Sequence, residues 1–101
     1  MAEALILEFE GIGRERYEAV NAALGIDAAT GEGDWPAGLK FHAGGETDDG
    51  GLVVIEVWES REAQAAFMES RLGRALQEGG VTAPPARTVW AGLLAVRDLS
   101  G

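Results

Sequence analysis

The sequence contains no cysteine, which excludes disulfides, thiolate metal sites and a cysteine nucleophile. It has one histidine, His42, and a lone imidazole cannot build the usual multi-histidine metal centre, so no metal is expected. Basic residues are scarce: 8 Lys and Arg stand against 17 Asp and Glu, for a net charge of −9. Such a chain repels phosphate backbones and anionic lipid surfaces, so neither nucleic acid nor membrane is an expected partner. The surplus acid reads first as a device for solubility. No apolar run approaches the ~20 residues that a bilayer-spanning helix needs. The opening Met1-Ala2-Glu3-Ala4 lacks a basic segment followed by an apolar stretch and a cleavage site, which points to the cytoplasm. Nucleophile-elbow, zinc-protease and phosphate-loop motifs are all missing, and no cofactor is expected.

What is present fits one domain over residues 1–101. Chains of this size bury only about 60–70% of their unfolded surface, so a core shared with a second copy would help. Residues 4–10 alternate in polarity, the period of a half-buried strand. Tyr17, Val20 and Leu24 then recur at helical spacing, with Gly13 as a weak N-cap and Gly25 as the stop. A glycine-rich stretch over 25–38 has no periodicity; it is long for a loop in a compact domain, and Trp35 within it is a candidate anchor or pocket cover. Leu39 to Ala43 and the β-branched run Leu52 to Trp58 flank Asp48-Asp49-Gly50-Gly51, which predicts a hairpin. Ser60 caps a second helix carrying Met68, Leu72, Ala75 and Leu76, stopped by Gly79-Gly80. A Pro84-Pro85 turn leads to a last strand over 88–96 and a short polar tail.

Strand-helix-strand-strand-helix-strand order implies an α+β, ferredoxin-like βαββαβ fold, with two helices on one face of a four-stranded antiparallel sheet. Odd-numbered strand positions (Leu5, Leu7, Phe9, Leu39, Phe41, Ala43, Val53, Ile55, Val57, Val89, Ala91, Leu93, Ala95) are all apolar and read as the face beneath the helices. Even positions mix Ile6, Leu52, Val54, Trp58, Trp90, Leu94 and Val96 with Glu8, Glu10, Lys40, His42 and Glu56. That face is too apolar for open water and predicts a second sheet against it, closing a shared cavity in a homodimer.

A hairpin centred on Asp49 sets His42 opposite Glu56, and a register shift of two sets it opposite Trp58. In the first case the carboxylate orients the imidazole, making His42 a candidate general acid or base with Glu56 as its partner. The plainer reading of the pair is a buried hydrogen bond that specifies register. Glu8 is a second polar candidate. Trp58 and Trp90 offer flat walls for an aromatic ligand, with Ile6 and Val54 beside them. Glu46, Asp48 and Asp49 lack the spacing of a calcium loop and read as turn chemistry.

The segment Val54-Ile55-Glu56-Val57-Trp58-Glu59-Ser60-Arg61-Glu62-Ala63 resembles the strand-to-helix passage of antibiotic-biosynthesis-monooxygenase-like domains. The run from Gly38 to Gly50, through Leu39-Lys40-Phe41-His42, resembles the second strand and turn of small actinobacterial-type members. The resemblance extends through most of the chain and implies a dimeric α/β barrel whose two sheets enclose a ligand cavity. Only Glu56 and Trp58 carry over by position. Phe67 stands where many members have a histidine, and the first strand has no asparagine of the kind that cofactor-free oxygenases use.

The expected function is binding of a hydrophobic or aromatic small molecule, extended by the resemblance to cofactor-independent monooxygenation of an aromatic or polyketide-like substrate. Two alternatives stay open: a non-catalytic ligand-binding or interaction module with a filled lumen, and an isomerase or cyclase on the same fold.

Overall fold

A computed structural model describes residues 2–97 and 99. Four strands, β1 (Glu3–Phe9), β2 (Leu39–Glu46), β3 (Leu52–Trp58) and β4 (Arg87–Gly92), pair antiparallel in the order β2-β3-β1-β4. Helix α1 (Arg14–Leu24) links β1 to β2, and the β3–β4 connection carries α2 (Arg61–Phe67), a π turn (Met68–Leu72) and α3 (Gly73–Glu78). This is the α+β ferredoxin-like βαββαβ arrangement that the element order predicts.

Local chemistry accounts for the boundaries. Gly25 ends α1 in the left-handed conformation (φ 80°), and its amide bonds the freed carbonyls of Asn21 and Ala22, a stop that costs glycine nothing. Ser60 Oγ accepts the Ala63 amide at 3.1 Å and caps α2. β4 stops at Gly92, short of the predicted residue 96, because its partner β1 runs out: Glu3 opposite Gly92 is the last pair. Beyond it Leu94 and Val96 are exposed. Part of the predicted polar tail, Asp98 and residues 100–101, lies outside the described residues.

The two faces of the sheet are not sorted by odd and even numbering. Register places Leu5 between Glu56 on β3 and Trp90 on β4, and Leu7 between Val54 and Thr88, so odd positions of β1 share a face with even positions of β3 and β4. In β2 a bulge at Lys40 inverts the alternation: Leu39 pairs with Trp58, Phe41 with Val57, and His42 with Glu56. The helix-covered face therefore holds Leu5, Val54, Glu56, Trp58, Trp90 and His42. The face predicted as core on β3 and β4 (Val53, Ile55, Val57, Val89, Ala91) is the helix-free one, together with Phe41, Ala43 and Ile6.

The core forms where α1, α2 and α3 lie on the sheet. Leu5, Val20, Leu24, Ile26, Trp58, Phe67, Ala75 and Val81 are buried together. Each large side chain so removed from water contributes roughly 1.5–3 kcal/mol. Trp58, with no exposed surface, packs its ring against Phe67 at 5.9 Å between centroids. No helix among the described residues is long and apolar enough to cross a membrane.

Candidate functional site

The hairpin turn fixes the register on which the site depends. Gly50 takes φ 88°, the Gly50 amide bonds the Thr47 carbonyl at 3.0 Å, and the Gly51 amide bonds Thr47 Oγ1 at 2.9 Å. The Thr47 hydroxyl also bonds the Asp49 carboxylate and, with the Gly51 amide, holds its pKa below the usual carboxylate value. The tip is thus occupied by its own turn bonds, as its spacing predicts.

With that register His42 faces Glu56, as the first of the two predicted pairings requires. His42 Nδ1 lies 2.8 Å from Glu56 Oε2, both side chains being close to nine-tenths buried. The other carboxylate oxygen, Oε1, accepts the Trp58 indole N–H at 2.9 Å. Indole only donates and a carboxylate only accepts, so Glu56 fixes the tautomer by taking the proton-bearing Nδ1. Nε2 is left facing the hydroxyl of Tyr17 at 2.6 Å. The result is a continuous relay, Tyr17–His42–Glu56–Trp58, in which both imidazole nitrogens are engaged.

Tyr17 reaches His42 because Gly44, two residues along β2 on the same face, has no side chain. A Cβ at Gly44 would stand 2.5 Å from Tyr17 Cζ and 2.7 Å from its oxygen. The phenol and imidazole planes are inclined by only 10°. On the other side the Trp35 ring approaches His42 at 5.1 Å between centroids, and its indole N–H bonds the Gly31 carbonyl. The 25–38 loop thus both anchors itself through Trp35 and lends that ring to the site.

A cavity of about 600 Å³ opens between the sheet and the helices, within the range that holds small organic ligands. Tyr17, His42, Glu56, Trp35, Val54 and Trp90 all line it, with Leu5, Leu24 and Phe67 among its apolar walls. Met68 and Leu72 of the π turn also line it; such turns recur at functional sites because the extra residue redirects side chains. Asn21 lines the same space and is only 5% exposed. Its Nδ2 is the one buried side-chain polar atom among the described residues without a hydrogen-bond partner.

The structure thus brings His42, Glu56, Val54 and Trp90 together, but not the other predicted residues. Trp58 lies behind Glu56 and forms no part of the wall. Ile6 pairs with Ile55 and Val89 on the helix-free face, and Glu8, on that face too, is 3.4 Å from Arg87. The cavity that His42, Glu56, Val54 and Trp90 line lies under this chain's own helices, on the opposite side of the sheet from the helix-free face on which the sequence pattern sets His42 and Glu56. Tyr17 and Asn21 escaped the sequence reading. The available signal was that Tyr17, Val20, Asn21 and Leu24 form one helical stripe, which puts a polar amide at a core position. Among the described residues no group of three or more histidine, aspartate or glutamate side chains is placed to hold a metal.

No protein-family model matches the chain, and no curated protein matches it in sequence. Solved structures do match in shape. One is from Chloroflexus aurantiacus, provisionally described as an antibiotic biosynthesis monooxygenase; it superimposes with a TM-score of 0.68 at 16% identity, covering 99% of this chain and all of the other. Another is Rv0793 from Mycobacterium tuberculosis, with a TM-score of 0.61 at 24% identity, covering 97% of this chain and all of the other. At such identities the likeness speaks for the fold, and the chain has, over nearly its whole length, the fold of an antibiotic-biosynthesis-monooxygenase-like domain.

Proposed function

We propose that this protein binds a hydrophobic, planar small molecule between its sheet and helices and transfers a proton to or from it through Tyr17, His42 and Glu56. The observation that carries the reading is the hydrogen-bonded relay ending on a wall of an otherwise apolar cavity. His42 has no free nitrogen for a ligand, so the group that meets substrate is the Tyr17 oxygen. As substrate yields a proton to that oxygen, the phenol's own proton passes to Nε2, and Glu56 stabilises the imidazolium so formed. Trp58 holds the second carboxylate oxygen and keeps Glu56 aimed at His42.

In the oxygenase version of this reading the proton comes from an acidic carbon, and the carbanion reacts with dioxygen without a cofactor. Anthrone, a planar ketone with an acidic benzylic CH₂, is a suitable probe: anthrone and O₂ give anthraquinone and water. Tyr17→Phe and His42→Gln are each expected to lower that rate by roughly 10²-fold or more. Rates equal to wild type in both variants would remove the mechanism. Isomerisation or cyclisation would use the same proton transfer without oxygen, and oxygen consumption separates them from oxygenation.

The helix-free face favours assembly as a homodimer. Phe41 is 53% and Ile55 41% exposed, and Ala43, Val53, Val57, Val89 and Ala91 surround them on the same face, a continuous apolar surface of the kind that self-association covers. Ile55→Glu is expected to give a folded monomer by sedimentation. An unchanged mass distribution, or a monomeric wild type in dilute solution, would refute that assembly.

A further inference from the structure

Asn21 lies inside the apolar stripe of α1, and no catalytic step above uses it. The residue is 95% removed from solvent, lines the cavity, and carries an Nδ2–H group with no acceptor among the described residues. Buried polar groups are retained against their desolvation cost when they have a partner, and the described residues supply none here. A wholly apolar occupant would leave that donor stranded, whereas one presenting an oxygen would satisfy it. Asn21 is also one helical turn from Tyr17 (i, i+4), so the two polar groups stand on the same side of α1.

From this we infer that Asn21 is the specificity-determining residue of the cavity, and that it selects ligands bearing a carbonyl oxygen within a helical turn's distance of the position that meets Tyr17. The inference rests on the reading of the cavity as a ligand site and narrows its occupant to planar ketones and related carbonyl compounds. Asn21 donates through Nδ2 to the carbonyl oxygen; Tyr17 addresses the adjoining part of the same molecule. The apolar walls, including Trp90, Leu24 and Phe67, take the ring system.

Two isosteric, unreactive probes test this: 9-fluorenone, which carries a carbonyl, and fluorene, which has a CH₂ in its place. Tryptophan quenching in the wild-type protein is expected to show fluorenone binding about tenfold more tightly than fluorene, the ratio that one neutral hydrogen bond supports. In Asn21→Leu the ratio should fall to near one, through weaker fluorenone binding with fluorene binding retained. The free variant should melt at or above the wild-type temperature, since leucine removes a stranded polar group. Titration of labelled wild-type protein with fluorenone should shift the Asn21 side-chain amide resonances, which tests the contact without any variant. Equal affinity for both probes in the wild type, or a ratio unchanged in Asn21→Leu, overturns the role of Asn21 and leaves the ligand site standing. Failure of both probes to bind wild-type protein overturns the ligand site and this inference with it.

Discussion

Replacing Gly44 with alanine tests the relay by steric means alone. Gly44 does not use a glycine-only backbone conformation, so alanine is permitted by the chain and forbidden only by Tyr17. The new methyl would lie 2.5–2.7 Å from three atoms of the phenol. An ordinary carbon–carbon contact is ~3.5–4.0 Å, so the ring must retreat by roughly 1 Å. The Tyr17–His42 bond, 2.6 Å long, then stretches past the limit of hydrogen bonding. The lost bond costs about 1 kcal/mol, and the stiffer unfolded chain returns about 0.5–1 kcal/mol, so global stability should move by less than about 1 kcal/mol in urea denaturation. Proton transfer has no such compensation, and anthrone turnover should fall roughly 10²-fold. The direct readout is the ¹⁵N shift of His42 Nε2, which in Gly44→Ala should match that of Tyr17→Phe. A wild-type shift and wild-type turnover in Gly44→Ala would refute the steric argument and, with it, the role assigned to Tyr17.

Two further outcomes follow from the same geometry. Trp58→Phe removes the donor to Glu56 Oε1 within a packed core and should cost about 2–3 kcal/mol in urea denaturation, because a hydrogen bond to a charged acceptor is at stake; a loss under about 0.5 kcal/mol would contradict it. Thr47→Val should raise the pKa of Asp49, whose carboxyl is held down first by the Thr47 hydroxyl and then by the Gly51 amide. Because the folded-state value is depressed, this turn's contribution is present above the unfolded-state pKa and disappears as pH falls through the folded one. Side-chain carboxyl NMR titration checks the shift, and an unchanged Asp49 midpoint in the variant would sink the assignment.

Much of the architecture is legible in the sequence because each boundary has a local cause. Gly25, Ser60 and the Asp49-Gly50-Gly51 tip announce their caps and turn, and the tip narrows the partner of His42 to Glu56 or Trp58, of which the structure has Glu56. What the sequence does not reveal is which face of each strand meets the helices. Numbering parity is meaningful within a strand but not across a connection of arbitrary length, and the Lys40 bulge breaks it even within β2. Val53, Ile55 and Val57 are as apolar as Leu52 and Val54, so hydrophobicity alone gives no sign of direction. Tyr17 reads as one more apolar member of a helical stripe, since its hydroxyl matters only once Gly44 brings β2 within reach. The site's position follows the same logic: parity sets His42 and Glu56 on the helix-free side, whereas register places both beneath the helices.

The alternation of β3 divides its seven residues into two independent alphabets. Substitutions at 52, 54, 56 and 58 rewrite the chamber and its support, while those at 53, 55 and 57 rewrite only the outer skin of the sheet. Selection, or a combinatorial library, can therefore reshape the interior while leaving the outer face untouched, by editing every second letter of one short strand.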